Sequence, residues 1–246
     1  MKTKFQFIDS IEILPFRVEV ATASDLEQVA KLRVSCYGKH LPAVAAKLFK
    51  PEASDYELGC EVFVAKSKMD DTVIGSLRTH ANVLAPLPIE ASLDLPSEFF
   101  GTRMVEGTRL CIQSGLSASL VRASLLKAQF KYCEENSVES MVATGRKPVD
   151  RMYDGLHFLD IAEQNVFYAM EHVGGLLHRA MYLPMLTGEE TWRLNKHPLH
   201  KFFFETDHPD IDITGAKPLN MPWSTSHRYS APQQHCVDYS MGLSVF

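Results

Sequence analysis

Apolar residues recur with helical spacing between residues 24 and 38, which predicts an amphipathic α-helix. The apolar stripe consists of Leu26, Val29, Ala30, Cys36 and Tyr37. Ser24 and Glu27 have the spacing of a capping box and Gly38 follows the last apolar position, so the helix is expected to begin and end there. Arg33 falls inside the stripe, where an unpaired charge is costly. We therefore expect Arg33 to contact a charged partner or a ligand.

A second pattern, of short apolar segments bounded by turns, predicts β-strands at 60–66, 73–84 and 103–112. The first two are joined by a short polar turn, which predicts an antiparallel hairpin, and a proline-rich connection precedes the third. Further elements follow as a long amphipathic helix (117–135), a strand (139–144), a short helix (149–156) and a strand (166–172). The fold class predicted is α/β (α+β), a mixed central sheet with helices packed on it.

The character of the chain changes at Gly174, after which prolines are frequent and no periodicity is sustained. We predict a domain over 1–173 and an irregular C-terminal extension over 174–246, with helices at 176–186 and 188–195.

Composition narrows the possible functions. The 246 residues are 46% hydrophobic and 22% charged with a net charge of -5, enough for a core without disulfides or metals. The absence of a Lys/Arg-rich run argues against nucleic acid and anionic membranes as partners. Five scattered cysteines without a Cys-x-x-Cys pair are typical of reduced thiols in a cytoplasmic protein, and no ligand set predicts a metal site. No apolar run approaches the roughly 20 residues of a transmembrane segment.

The most informative segment is the strand over 103–112, because a buried strand rarely contains Glu106, Gly107 and Arg109. Strict alternation would place Glu106 and Arg109 on opposite faces. A β-bulge at Gly107 would bring both to one face and splay the strand from its neighbour. The alternative is a buried Glu106–Arg109 ion pair with no catalytic task.

A loop of small residues follows this strand and leads into the long helix. It contains Gln113, Ser114, Gly115, Leu116, Ser117 and Ala118. Free N–H groups at a helix N-terminus suit a phosphate or pyrophosphate, although an ordinary N-cap would give the same composition.

These features together resemble the GNAT acyltransferases. Residues 152–158 are similar to the Tyr-x-x-x-Gly-Phe segment of that family, with Tyr153 as the general acid for the leaving thiolate and His157 in place of the glycine. Gln113 and Ala118 fit the family's pyrophosphate loop, whereas Leu116 replaces its central glycine.

Residues 73–78 and 105–110 further resemble acyl-homoserine-lactone synthases and, more closely, long-chain N-acyl amino acid synthases, over about residues 17–173. Both take acyl groups from acyl carrier protein. The resemblance implies a site containing Arg33, Arg78, an acidic residue that is either Asp55 or Glu57, and Glu106 with Arg109.

Amide synthesis from a thioester assigns tasks to these residues. We expect Glu106 to be the general base, directly or through a water, and N–H groups at Cys111 and Ile112 to bind the oxyanion. Tyr153 would protonate the sulfur, unless it is a core residue. A bidentate arginine for an acceptor carboxylate would be one of Arg33, Arg78 and Arg109. An apolar tunnel for the acyl chain could be lined by Phe63, Leu77, Phe99, Phe100 and Phe130.

Leu116 favours a carrier-bound phosphopantetheine over coenzyme A, because a side chain there hinders close approach of a pyrophosphate. An acidic carrier needs a basic rim, for which Arg122, Arg146, Lys147 and Arg151 are candidates unless they form an ordinary solvated face. The predicted activity is transfer of a long-chain acyl group to the amine of an amino acid or related molecule, with acyl-phosphopantetheine as co-substrate and no permanently bound cofactor. The alternatives are an acetyl-coenzyme A dependent N-acetyltransferase and a non-catalytic acyl-thioester-binding module.

Overall fold

The computed structural model of the chain describes residues 13–115 and 117–224. The strands are β1 (Phe16–Val20), β2 (Cys60–Ser67), β3 (Val73–Ala81), β4 (Met104–Ile112), β5 (Ser140–Gly145), β6 (Leu159–Asp160), β7 (Tyr168–Met170) and β8 (Leu176–Pro184). The α-helices are α1 (Ala23–Gly38), α2 (Pro42–Ala45), α3 (Ala118–Glu135), α4 (Asp150–Gly155) and α5 (Met185–Leu194). Single helical turns lie at Ala53–Asp55, Pro88–Ala91, Ser97–Phe99, Glu171–Val173 and Lys201–Glu205. Within the described ranges, no helix is both long enough and apolar enough to cross a bilayer.

The strands form one mixed sheet in the order β1-β2-β3-β4-β5-β8-β6, with β7 paired to β8. Only the β4–β5 pair is parallel among these neighbours. Alternation along β2 places Phe63 in the core cluster beneath α3 and Val62 and Val64 in the cluster beneath α1. The two helices therefore cover opposite faces, which confirms the predicted mixed sheet with helices packed on it.

Helix α1 begins slightly earlier than its sequence pattern indicated. The capping box is formed by Thr22 and Asp25, because the Asp25 carboxylate accepts the Thr22 N–H at 2.9 Å and the Thr22 hydroxyl accepts the Asp25 N–H at 3.3 Å. The expected pair of Ser24 and Glu27 is therefore wrong by two residues, although Arg33 lies on the buried side of the helix as expected.

The expected helix over 176–186 is wrong, because this segment is strand β8. It pairs antiparallel with β5 from Ser140 opposite Pro184 to Gly145 opposite Arg179. A short apolar run that is buried on both faces has no periodicity that separates a strand from a helix. The sheet thus continues past residue 173, and the predicted boundary does not mark the end of the structural unit.

The chain beyond α5 also packs into the main core. Phe202, Phe203 and Ile211 share a cluster with Leu14 and Phe16. Apart from the turn at Lys201–Glu205, no regular element is present between residues 196 and 224, which agrees with the predicted irregular character of this region.

The sheet opens between β4 and β5. Their parallel pairing runs from Met104 opposite Ser140 to Gly107 opposite Ala143 and then stops, although β4 continues to Ile112. The predicted splay is confirmed. Among the residues that the structure describes, none pairs as a strand with the β5-facing edge of residues 108–112.

The β-bulge lies on β4 but not at Gly107. The β3–β4 register shifts between the pairs Arg78–Thr108 and Ser76–Cys111, so the extra residue falls after Thr108. Arg109 has a φ of 53°, a left-handed conformation that costs about 1–3 kcal/mol for a non-glycine residue.

Gly107 is explained by close packing instead of by the bulge. A Cβ at this position would lie 2.9 Å from the side-chain amide nitrogen of Gln129 on α3. The bulge two residues later still turns Arg109 onto the face that carries Glu106, opposite α3. Glu106 and Arg109 therefore lie on the same face, as expected, but the bulge that brings them there follows Thr108 and is not at Gly107.

Candidate active site

The splay of β4 from β5 opens a cleft of about 620 Å³. Its polar walls contain Arg109, Arg122, Arg146, His40, His172, His178, Tyr37, Tyr153, Cys36 and Cys111. None of the described residues that line it is an aspartate or a glutamate. The cleft therefore carries positive potential and suits a ligand with anionic groups.

Behind one wall of this cleft lies a network of three arginines and two carboxylates. Arg33 donates to Asp55 through both terminal nitrogens, at 2.7 and 2.9 Å. Arg109 makes a second bidentate pair with Glu52, at 2.9 and 2.8 Å. Arg78 joins the pairs, because its Nη1 donates to Glu52 at 3.1 Å and to Asp55 at 3.2 Å. The expectation that Arg33 meets a partner is confirmed, since it is 1% exposed and ion-paired.

The network sets the charge of both carboxylates. Burial alone would raise the pKa of Glu52, but the hydrogen bond from Arg109 and the charges of Arg78, Arg109 and Arg33 together lower that pKa below its usual range. The same balance of burial against Arg33 and Arg78 lowers the pKa of Asp55. Both carboxylates are therefore ionised at neutral pH, and the five side chains carry one net positive charge.

Glu52 was not found from the sequence, which offered Asp55 or Glu57. Glu57 is exposed and its side chain forms no ion pair with any described residue. Glu52 precedes the turn Ala53–Asp55, and its N–H donates to the Asp55 carboxylate at 2.8 Å. The Glu-x-x-Asp spacing around this turn is the signal that could have identified it.

Only Arg109, of the three arginines expected to bind an acceptor carboxylate, lines the cleft. Its guanidinium lies 5.8 Å from the centre of the Tyr37 ring and donates to the carbonyl oxygen of His172 at 3.3 Å. Arg33 and Arg78 are enclosed behind it, and both hold Glu52 and Asp55 in place.

Glu106 is 0% exposed and does not line the cleft. One of its carboxyl oxygens accepts the N–H of Ile89 at 2.8 Å, and the other has no hydrogen-bond partner among the described residues. Burial raises the pKa of Glu106 to about 8. In the part of the chain that the structure describes, Arg109 pairs with Glu52 and Glu106 forms no ion pair, so the alternative of a structural Glu106–Arg109 pair is wrong.

Tyr153 lines the cleft from α4 and packs against Phe158, with 5.1 Å between ring centres. Burial raises the pKa of its phenol, so Tyr153 keeps its proton at neutral pH. Helix α4 is anchored by Arg179, which donates to Asp154 at 3.0 Å and to Asp160 at 2.9 Å. His157 has a φ of 60°, the conformation for which glycine is favoured at this position of the motif.

The loop before α3 lies at the mouth of the cleft. Cys111 and Ile112 line the cleft, whereas Gln113, Ser114 and Gly115 are exposed and Leu116 lies outside the described residues. The helix begins at Ala118, and the side chain of its N-cap residue, Ser117, makes no capping hydrogen bond. The N–H of Ala118 donates to the carbonyl oxygen of Gly115 at 3.3 Å, so an anion would meet the N–H groups that follow it in the first turn, and Arg122 lines the cleft one turn further on.

Two further groups of expected residues, the acyl tunnel and the basic rim, lie wholly or partly away from the cleft. The aromatic and aliphatic residues proposed for an acyl tunnel do not line the described cleft. Phe63, Leu77 and Phe130 belong to the core beneath α3, Phe99 belongs to a second core cluster, and Phe100 is exposed. Of the proposed basic rim, Arg122 and Arg146 line the cleft while Lys147 and Arg151 are exposed.

Comparisons with solved structures identify the fold. The chain is similar to FeeM, an N-acyl amino acid synthase from uncultured soil microbes, at 13% identity and a TM-score of 0.56, covering 74% of this chain and 96% of FeeM. It is similar to BjaI, a CoA-dependent acyl-homoserine lactone synthase, at 11% identity and a TM-score of 0.55, covering 82% and 95% of the two chains. The AHL synthase LasI matches at 14% identity and a TM-score of 0.50, covering 69% and 90%.

No protein-family model matches the sequence, and the curated proteins contain no match. At these identities the structural likeness establishes the fold, and the GNAT-like architecture expected from the sequence is confirmed.

Proposed function

We propose that this chain is an N-acyltransferase that moves a fatty acyl group from the phosphopantetheine thioester of an acyl carrier protein to the amine of an amino acid or related small molecule. The observation that carries the proposal is the cleft between β4 and β5, which combines a free strand edge, basic walls without an acid and the protonated phenol of Tyr153.

The free edge of β4 suits the pantetheine arm of the donor. Pantetheine is an extended chain with two amide groups, and the β4 backbone beyond Gly107 has no partner on the β5 side. Amides of the arm can pair with this edge as an added strand would. The phosphate at the end of the arm would bind Arg122 and the first turn of α3, at the mouth of the cleft.

Tyr153 supplies the proton for the departing thiolate. A phenol whose pKa is raised by burial stays protonated until sulfur leaves, and Tyr153 is one of the residues that line the same cleft. N–H groups point alternately to the two sides of a strand, and the N–H of Gln113 donates to Ile74 on β3. The N–H of Cys111 therefore also points to β3, whereas the N–H of Ile112 points to the free edge, where it would stabilise the tetrahedral oxyanion.

The acceptor amine must lose a proton, and the proposed base for that proton, Glu106, lies behind the cleft wall. Because Glu106 is fully buried, we propose that it takes the amine proton through an intervening water and not by direct contact. Its pKa of about 8 makes its carboxylate a stronger base than an exposed glutamate. Arg109 is the arginine in the wall that can also contact the acceptor's carboxylate.

Basic residues at and around the cleft favour a carrier protein as the acyl donor. Arg122 and Arg146 line its mouth, and the exposed Lys147 and Arg151 follow on the same loop and helix. An acidic carrier would find a local basic surface there despite the net charge of -5.

The test is a donor panel with the purified full-length protein. Palmitoyl-acyl carrier protein, palmitoyl-coenzyme A and acetyl-coenzyme A are each incubated with a mixture of amino acids, and amide products are identified by mass spectrometry. We expect an N-palmitoyl amino acid, formed fastest from the carrier protein. Faster turnover of acetyl-coenzyme A would overturn the assignment in favour of an N-acetyltransferase. Retention of the acyl thioester without thiol release from any donor would instead indicate a binding module.

A matched pair of tyrosine variants ties any activity to the cleft. Tyr153→Phe removes the proposed acid, whereas Tyr56→Phe changes an exposed tyrosine that does not line the cleft. Activity should be lost in the first variant and kept in the second. Equal activity in both would exclude Tyr153 as the acid.

A further inference from the structure

Two cysteines meet in the wall of the cleft. Cys36 lies in the last turn of α1 and Cys111 lies near the end of β4, and both line the cleft. Cys111 belongs to the apolar cluster beneath α1 and Cys36 packs against that cluster, and the Cys36 sulfur lies 3.5 Å from the carbonyl oxygen of Ile112, the residue next to Cys111. The two cysteines are therefore neighbours in the fold although they belong to elements from distant parts of the sequence.

Cys36 differs from the other described cysteines in accessibility and acidity. Cys60 and Cys133 are buried, and burial raises the pKa of Cys60 to about 12 and raises that of Cys133 as well. Cys36 is half-buried, and the hydrogen bond with Cys111 lowers its pKa to about 7 against the opposing effect of burial. The lowered pKa increases the fraction of Cys36 that is thiolate, the form that attacks disulfides.

We propose that Cys36 and Cys111 form a thiol–disulfide exchange site, at which a small disulfide such as oxidised glutathione converts the two thiols into an intramolecular disulfide. The Cys36 thiolate attacks one glutathione sulfur, forms a mixed disulfide and releases one glutathione thiolate, which takes up the proton lost by Cys36. Cys111, after losing its proton, attacks the Cys36 sulfur and displaces the second glutathione, which takes that proton. Two protein thiols are oxidised by two electrons, and one glutathione disulfide is reduced to two thiols.

Oxidation has a consequence for the cleft, and this consequence rests on the proposed function. A disulfide bond is about 2.05 Å long, so the sulfur atoms must approach by on the order of 1 Å or more from their non-bonded contact. The movement draws α1 towards Cys111 and Ile112, at the free edge of β4 where the pantetheine arm is proposed to bind. The oxidised protein is therefore expected to bind the acyl donor more weakly, and reduction restores binding.

The disulfide is tested without any activity measurement. The reduced full-length protein is incubated with oxidised glutathione, remaining thiols are alkylated, and intact mass is combined with a peptide map. We expect a loss of two hydrogens and a peptide linking Cys36 to Cys111. Linkage of Cys36 to another cysteine, a glutathione adduct that persists on Cys36, or full alkylation of both thiols would overturn the proposal.

Variants separate the two chemical steps. Cys111→Ala should stop the reaction at the mixed disulfide on Cys36, and Cys36→Ser should give no adduct at all. Cys60→Ala is the matched control, because Cys60 is a buried cysteine that does not line the cleft, and it should form the same disulfide as the unchanged protein. A glutathione adduct on Cys111 in the Cys36→Ser variant would contradict the assigned order.

The donor panel is then repeated on the oxidised and re-reduced protein. If the disulfide raises the KM for the acyl donor several-fold and dithiothreitol reverses the change, the result supports closing of the cleft on oxidation. An unchanged KM overturns the proposed closing. A protein that forms the disulfide but transfers no acyl group in either state contradicts the proposed function alone. Acyl transfer without disulfide formation contradicts the exchange site alone.

Discussion

Glu52 is the residue on which the arginine network depends, and its replacement by Gln tests the network directly. The Glu52 carboxylate accepts the bidentate pair from Arg109 and single hydrogen bonds from Arg78 and Arg33. Glutamine keeps the size of the side chain and removes its charge. Three arginines would then face the single carboxylate of Asp55, so the net charge of the group would rise by one.

The expected loss of stability follows from the burial of these charges. Removing one partner of a buried ion pair costs about 3–5 kcal/mol. The Glu52 side chain is 21% exposed, and the partial screening by water reduces our expectation to about 2–3 kcal/mol. For a domain of this size each kcal/mol lowers the Tm by about 2–4 °C, so the Tm of Glu52→Gln should fall by roughly 5–10 °C.

The measurement is urea unfolding together with thermal unfolding at pH 7, and Glu57→Gln is the control. Glu57 lies five residues away, is exposed and makes no described ion pair, so its variant should stay within about 0.5 kcal/mol of the unchanged protein. An equal effect of the two variants, or a loss below about 0.5 kcal/mol for Glu52→Gln, would refute the network as a source of stability.

Three further predictions follow from single contacts. Tyr153→Phe should lower the kcat of acyl transfer by about 10²–10⁴-fold with little change in the donor KM, as measured by steady-state kinetics. Gly107→Ala should lower the free energy of unfolding by about 1–3 kcal/mol in urea, because its Cβ would meet the Gln129 amide at 2.9 Å. Because the pKa of Glu106 is raised from 4.5 in the unfolded chain to about 8 in the fold, stability should fall as the pH rises between these values, and Glu106→Gln should remove that slope from pH-dependent unfolding curves.

The fold was largely predictable because its elements carry local signals. The hairpin of β2 and β3, the long helix α3 and the unusual strand β4 each have a period or a turn that is visible in sequence. Strand β8 has neither a period nor a turn signal. Its central residues Arg179, Ala180 and Met181 are all buried, although their side chains point alternately to the two faces of the sheet. The position of the bulge was also hidden, since Gly107 is the residue that a bulge favours, whereas tertiary contacts of Arg109 stabilise its left-handed backbone.

The site was predictable in its residue types and less so in their pairing. Arg33 was identified by the cost of a charge in an apolar stripe, which is a local argument. Which carboxylate would meet Arg109 is a long-range question, because Glu52 and Arg109 are 57 positions apart while Glu106 is a near neighbour in sequence. Sequence proximity favoured the wrong acid, because Arg109 lies on the same face as Glu106 and yet forms its ion pair with Glu52.

The arginine network also acts on the proposed base, Glu106, through Arg78. Burial raises the pKa of Glu106, and the charge of Arg78 acts in the opposite direction. Glu52 is paired with Arg78, so we expect its negative charge to offset part of the field by which Arg78 lowers that pKa. Each pH unit over which the folded carboxyl stays neutral and the unfolded one is charged costs about 1.4 kcal/mol of stability, and the carboxylate gains the same amount in base strength.

Glu52→Gln should therefore move the pH dependence of acyl transfer as well as the Tm. With the network more positive, Glu106 ionises at lower pH, so the rising limb of rate against pH should shift from a midpoint near 8 towards lower values, with a lower plateau because the base is weaker. Glu57→Gln should leave the midpoint in place. A midpoint that does not move in Glu52→Gln would mean that the arginine network stabilises the fold without acting on Glu106.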